Sequence, residues 1–217
     1  MPSCPVCKKS TIRPFLQVDQ RDYWRCETCQ ATHLDAAQRL DAEQELAYYT
    51  LHENRPDDPG YRRFLSRLVT PLLAVLPAAS EGLDYGCGPG PALARMLTEA
   101  GHHVDLYDPH FYPDAQRLAR QYDFISCSEV VEHFHQPAEQ FDRLNSLLKP
   151  DGVLAIMTCF QTDDARFANW HYRRDPTHVV FYREETFRYL ASRFGWRCEI
   201  PCKDVVLLFK PGSHSPL

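Results

Sequence analysis

The chain has 217 residues, enough for one ordinary α/β domain with a small appendage and hardly enough for two full domains. Hydrophobic residues at 44% and charged residues at 24% exclude wholesale disorder, and a formal net charge of −5 argues against a protein that coats nucleic acid. No apolar run approaches the roughly 18 residues of a bilayer-spanning helix, and the opening Met1-Pro-Ser-Cys4 lacks the basic and apolar regions of a secretory signal, so the expectation is a soluble, cytoplasmic protein.

Four of the nine cysteines stand at the start of the chain, Cys4, Cys7, Cys26 and Cys29, and the others are scattered. The pattern is C-x2-C, an 18-residue gap, then C-x2-C, which suits a tetrahedral thiolate site in which each pair presents both sulfurs from one tight turn. An odd total with no export signal speaks against a disulfide framework. The segment is too short for a core of its own, so bound metal would supply its folding energy, about 10 kcal/mol. Residues 1–34 therefore read as a zinc ribbon, with His33 as a spare ligand that the four-thiolate set does not need. This segment carries five basic and three acidic side chains, and four thiolates around one zinc ion add about −2. A near-neutral ribbon favours a structural or protein-contact role over RNA contact.

Residues 35–80 read as helical linker and N-terminal helices. Asp35 to Thr50 is rich in Ala, Gln, Glu and Leu, His52 to Gly60 is dense in turn residues, and Tyr61 to Leu76 places Phe64, Leu65, Leu68, Val69, Leu72 and Leu73 at helical spacing. From residue 81 to 217 short strands and helices alternate. The spacing predicts strands at Leu83–Tyr85, Val104–Tyr107, Phe124–Cys127 and Val153–Thr158, with helices over Ala92–Ala100 and Ala138–Leu148. Lys149–Gly152 reads as a turn, and Arg183–Phe194 as a helix stopped by Gly195. Two further strands lie near Arg197–Ile200 and Val205–Phe209. Such alternation means a doubly wound, mostly parallel sheet, an α/β fold with its site at the carboxyl ends of the strands.

The first strand runs into Asp84-Tyr-Gly86-Cys-Gly88-Pro-Gly90-Pro91. Pro91 stands where a dinucleotide fingerprint needs Gly or Ala, and no Gly-Lys-Ser/Thr ending marks a phosphate loop. What remains is a loop whose glycines let a ligand approach the backbone, with Asp84 suited to a cationic ligand end. Asp108 closes the second strand, where a carboxylate can accept both hydrogens of a ribose diol.

Leu83-Asp-Tyr-Gly-Cys-Gly-Pro-Gly90, Asp108, Asp123-Phe-Ile-Ser-Cys-Ser-Glu-Val-Val-Glu-His133 and Leu148-Lys-Pro-Asp-Gly-Val-Leu154 together resemble the class I S-adenosylmethionine-dependent methyltransferases, over roughly residues 60–210. The resemblance implies that Gly86, Gly88 and Gly90 lie beneath the methionine part of S-adenosylmethionine and Asp84 near its amino group. It further implies that Asp108 holds the ribose hydroxyls and that Ser128 and Glu129 line the pocket after the fourth strand. The Glu-x-x-Glu-His form of that turn is most similar to small-molecule O-methyltransferases of quinone biosynthesis. One departure stands out: only 14 residues separate Asp108 from Asp123, where the family fits a helix, a strand and a loop. The third strand is expected to be shortened or missing, and the adenine contacts stay unassigned.

Arg166 to Tyr182 is aromatic, basic and rich in histidine, and reads as a lid over the acceptor. His133 and His178 are the candidate general bases, since a neutral imidazole takes a proton near pH 7, and Arg173, Arg174 and Asp175 are candidates to orient a polar acceptor. The leading expectation is O-, C- or N-methylation of a small molecule, with nucleic acid and membrane partners not expected and oligomeric state left open. Two alternatives stand beside it: an rRNA or tRNA base methyltransferase with RNA contact through the ribbon, and a non-catalytic cofactor-binding scaffold recruited through it. Against the first stand the 14 basic and 19 acidic residues from position 81 on.

Overall fold

The two C-x2-C pairs fold into matching turns. In each, the residue after the second cysteine takes a left-handed conformation (Lys8 at φ 60°, Gln30 at φ 62°) and donates its N–H to the carbonyl of the first cysteine, at 2.9 Å for Lys8 to Cys4 and 3.0 Å for Gln30 to Cys26. Between them runs a hairpin of β1 (Ile12–Val18) and β2 (Arg21–Cys26). Its two-residue turn, Asp19-Gln20, has positive φ at both positions, as the right-handed twist of the strands requires. β3 (Thr32–Leu34) pairs antiparallel with β2. The chain is described here by a computed structural model covering residues 3–50 and 55–212; of the expected loop over 52–60, residues 52–54 lie outside the described residues.

The helix expected over 35–50 is divided. Asp35 caps a single 3-10 turn at Ala36–Gln38, and Asp41 opens α1 (Ala42–Tyr49) with a capping box to Gln44. Each aspartate diverts backbone N–H groups to its own side chain, so two short capped turns replace one long helix. α2 (Pro59–Leu73) starts at Asp58, whose carboxylate accepts from Tyr61 N–H at 2.6 Å, with Pro59 in the first turn where no N–H is missed. Of the expected stripe it buries Leu65, Leu68, Val69 and Leu72, while Phe64 is exposed.

Four parallel strands follow: β4 (Glu81–Tyr85), β5 (His103–Tyr107), β6 (Tyr122–Ser128) and β7 (Leu148–Met157), ordered β5-β4-β6-β7. α3 (Ala92–Glu99) and α4 (Pro137–Leu147) connect them. Lys149–Gly152, expected as a turn, is drawn into β7 as an irregular start whose pairing shifts between Tyr122 and Phe124, with Asp151 at φ 64°. Alternate residues of β7 serve two cores. Val153, Ala155 and Met157 face α2 and α3, while Leu154 and Ile156 face the opposite layer with α4. Among the described residues the third strand of the doubly wound pattern is absent. The segment after β5 makes only an Asp108–Tyr112 bridge and a 3-10 turn at Ala115–Leu118 before β6 begins.

Beyond β7 come a four-residue helix α5 (His171–Arg174), a two-residue strand β8 (Val180–Phe181), α6 (Glu184–Phe194) and strands β9 (Arg197–Cys202) and β10 (Val205–Phe209). Gly195, at φ 69°, ends α6 as expected. β10 and β9 complete the main sheet antiparallel, giving β5-β4-β6-β7-β10-β9. β8 joins the other sheet, β1-β2-β3-β8, so the cysteine module is continuous with the segment before α6. No helix among the described residues is long and apolar enough to cross a membrane.

Candidate active site

A cleft of about 640 Å³ opens at the carboxyl ends of β4, β5 and β6, in the size range of small-molecule sites. Asp84, Gly86, Gly88, Asp108, Ser128, Glu129, His133 and His178 all line it. Gly90 does not; its carbonyl accepts from Ala92 N–H as α3 begins. Gly86 and Gly88 both have positive φ, 79° and 63°. At Gly86 a Cβ would stand 2.6 Å from a Val130 methyl, so the loop is packed against the turn after β6, and Val130 also lines the cleft.

Asp84 is 3% exposed and accepts from Ser126 Oγ at 2.9 Å. Burial pushes its carboxyl up to about 7, so it stands to gain from any cationic group placed beside it. Asp108 ties two loops together: one oxygen accepts from Gly88 N–H at 3.0 Å, the other from His110 and Phe111 N–H at 2.8 and 3.1 Å. Replacing it by alanine removes a charged acceptor and leaves those donors without one. The expected result is a loss of S-adenosylhomocysteine affinity of about 10- to 100-fold by calorimetry, the worth of a charged hydrogen bond, roughly 1.5–3 kcal/mol.

Glu129 takes φ 54° at the end of β6, where its N–H donates to Met157 O at 2.8 Å. Burial, and then the neighbouring Glu132, push its carboxyl up to about 9. Glu132 is fully buried and raised by that burial; it accepts from Thr158 Oγ1 at 2.9 Å and from the Tyr172 hydroxyl. The two histidines lie together, with ring centroids 4.7 Å apart. His178 Nδ1 bonds the Tyr172 carbonyl at 2.7 Å and His133 Nδ1 the Thr177 carbonyl at 3.1 Å. A carbonyl only accepts, so both rings carry their proton on Nδ1 when neutral and the lone pair on Nε2. Burial holds the His178 imidazolium pKa below its ordinary value, which keeps it a base at neutral pH. Glu132, His133 and His178 each bring one ligand-type atom within 4.8 Å of the others.

Of the acceptor-side segment, His171, Tyr172, Asp175 and His178 line the cleft. Arg173 does not orient an acceptor. It is 2% exposed and points into the cysteine module, donating to Asp19 at 2.7 Å. The sequence reading also missed the roof. Glu45 and Tyr49 of α1 and Tyr61, Phe64 and Leu65 of α2 line the cleft, and Tyr49 packs edge-on against His133 at 5.4 Å. The signal was present in α2, whose apolar stripe extends at its start into Tyr61 and Phe64.

Outside the cleft, the four cysteines are buried and their sulfurs lie within 4.8 Å of one another, with Cys4–Cys29 at 3.6 Å and Cys7–Cys26 at 3.5 Å. A tetrahedral ion with metal–sulfur bonds of about 2.3 Å needs sulfurs about 3.8 Å apart, so the set fits one.

A model of the methyltransferase domain matches residues 54–199. The chain belongs to that family. Its α/β architecture is the Rossmann-like one of class I S-adenosylmethionine-dependent methyltransferase domains. A ubiquinone biosynthesis O-methyltransferase of Salmonella paratyphi A is 31% identical over 81 residues, 37% of this chain and 34% of that protein. The chain thus spans about a third of the length of the curated relatives it matches. Among solved structures, magnesium protoporphyrin IX methyltransferase of Synechocystis PCC 6803, with S-adenosylhomocysteine bound, aligns with a TM-score of 0.53 at 16% identity, over 78% of this chain and 94% of that one. A protein of Pyrococcus horikoshii OT3 aligns at 0.51 with 15% identity, over 76% and 98%. These likenesses support the methyltransferase fold.

Proposed function

We propose that this methyltransferase domain binds S-adenosylmethionine on the glycine loop and methylates a small molecule at the histidine end of the same cleft. One observation carries the reading: a single cleft runs from buried Asp84 and the Gly86–Gly88 loop to the His133–His178 pair. Bound there, the cofactor supplies an electrophilic methyl group on a sulfonium centre. The Gly86–Gly88 loop lies beneath it, Asp84 meets its amino group, Asp108 its ribose hydroxyls, and Ser128 and Glu129 its flank. His178 Nε2 accepts the proton of an arriving hydroxyl, and His133 stands beside it as second candidate. Tyr49, Tyr61, Phe64 and Tyr172 exclude water around the acceptor, since in-line displacement mainly needs the nucleophile held in position and dry. Cys4, Cys7, Cys26 and Cys29 hold zinc in a structural role.

The curated relatives' names favour a hydroxyl acceptor. The test is transfer of radiolabelled methyl groups to a panel of phenolic hydroxyl compounds and, in parallel, to total RNA. Label on a small phenol supports the reading; label on RNA alone, or cofactor binding without turnover on any acceptor, overturns it.

The Asp84 carboxyl gives the site a pH signature. Its proton is lost near pH 7 in the free protein, and a cationic ligand favours the carboxylate, so binding expels that proton. Affinity for S-adenosylmethionine is therefore expected to rise by up to about tenfold per pH unit below about 7. It then levels and falls as the ligand's own α-amino group, near about 8, loses its charge. Calorimetry across pH 5.5–9 reads the profile, and Asp84→Asn is expected to bind weakly and to lose the rising limb.

A further inference from the structure

We propose that the four-cysteine module is a metal-held brace for the acceptor wall of the cleft, so that metal occupancy governs methyl transfer while leaving cofactor binding intact. The proposal rests on reading the cleft as a methyl-transfer site and the cysteines as a zinc site.

The wall has little structure of its own. Between Asp163 and Arg183 lie a 3-10 segment (Asp164–Asn169), the four residues of α5 and the two residues of β8. None of these is long enough to persist alone. Yet this stretch supplies His171, Tyr172, Asp175 and His178 to the cleft. Its order comes from outside: Glu132, Thr158 and Val131 of the main domain hold Tyr172 and Tyr182, and the module holds the opposite side. Thr32 and His33 of β3 pair with Phe181 and Val180, and Leu34 N–H donates to Val179 O at 2.9 Å. Thr32 Oγ1 donates to Gln161 Oε1 at 2.7 Å. Arg25 and Arg173, both nearly fully buried, reach across in opposite directions, Arg25 to Asp164 at 2.8 Å and Arg173 to Asp19 at 2.7 Å.

The brace reaches the reacting end through Val179. This residue accepts from Leu34 of the module and donates its own N–H to Glu132 O at 2.9 Å. One residue thus links β3 to the turn that carries Glu132 and His133. From the other knuckle, Pro5 O accepts from Ala138 N–H at 3.1 Å, at the start of the helix that follows the same turn. The cofactor end has different supports: Asp84 leans on Ser126 of the main sheet and Gly88 on Asp108. Loss of the metal should therefore loosen one end of the cleft and spare the other.

Two variants test this, each read by metal content, S-adenosylhomocysteine calorimetry, hydrogen exchange and methyl transfer. Cys4→Ser/Cys7→Ser removes two thiolates. It is expected to lose the zinc, to bind S-adenosylhomocysteine as the parent does, and to exchange the amides of 171–182 at least about tenfold faster than the parent does, with those of β4 and β6 unchanged. Transfer should fall about 10²-fold, the scale of a reactive group out of place by an ångström or so. Asp19→Ala/Asp164→Ala removes the carboxylates that Arg173 and Arg25 reach, together with the Arg183 and Gln161 contacts to Asp164, and leaves the thiolates and the Arg173–Tyr23 contact in place. It is expected to keep one zinc and to show the same faster exchange at 171–182 with a smaller loss of transfer. The brace is overturned if the parent protein holds no metal, if exchange at 171–182 does not change in either variant, or if cofactor binding collapses together with the wall. Exchange and S-adenosylhomocysteine binding need no acceptor, so a parent that methylates nothing on the panel refutes the proposed function while the exchange data still decide the brace.

Discussion

Gly88→Val is expected to abolish S-adenosylmethionine binding, with affinity reduced beyond about 10³-fold, while the sheet stays folded. Gly88 sits at φ 63°, lines the cleft, and gives its N–H to Asp108. A β-branched residue is poorly tolerated in that backbone region, so valine displaces the loop. The core beneath does not depend on this position. The packing of the glycine loop on Val130 is made by Gly86, and the strands hold through Leu83, Ile125 and Leu154. Far-UV circular dichroism and thermal unfolding near those of the parent, with no calorimetric signal for the cofactor, are the expected pair of results. Normal binding would mean that this loop does not carry the cofactor.

His178→Gln is expected to lower methyl transfer to a hydroxyl acceptor by about 10²- to 10⁴-fold, the range of a lost general base, with cofactor affinity unchanged. Glutamine is the informative replacement. The imidazole is buried and packs on Tyr172 at 4.1 Å and on His133 at 4.7 Å. Alanine would leave a hole there and confuse lost chemistry with lost packing. Glutamine keeps a donor for the Tyr172 carbonyl but brings no basic nitrogen. Because the rings of His178 and His133 touch, the comparison that separates them is the pH profile and not location. If His178 is the base, His133→Gln shifts the acidic limb of kcat without removing it; if the limb vanishes only in His133→Gln, the roles exchange. A transfer rate that neither substitution changes would show that the acceptor needs no base.

Legibility in the sequence followed the range of the interaction. The strands β4 to β7, the order of glycine loop and Asp108, and the loss of the third strand were readable because each rests on a local pattern: alternation, turn residues, or a count of 14 positions. The two cysteine pairs were readable because a knuckle is a four-residue object. What was missed depends on contacts between distant segments. Arg173 looked like a binding group because a charged residue in an aromatic stretch faces solvent by default, and its partner Asp19 lies 154 positions away. Glu132 belongs to a recognisable motif, but nothing local reveals that Thr158 and Tyr172 converge on it. The roof formed by Tyr49 and Tyr61 was hidden for the same reason.

The pairing of β3 with β8 also sets a clock on the nascent chain. His33 must wait for Val180, and at about 5–20 residues per second a ribosome takes on the order of 10–30 s to make the stretch between them. During that interval the two knuckles and the β1–β2 hairpin are already out, able to capture metal, with the outer edge of β3 unpaired and open to any other extended strand. The last strand to dock on the first-made module is the one that closes that edge. The vulnerable period of this protein is therefore the time it spends half-translated.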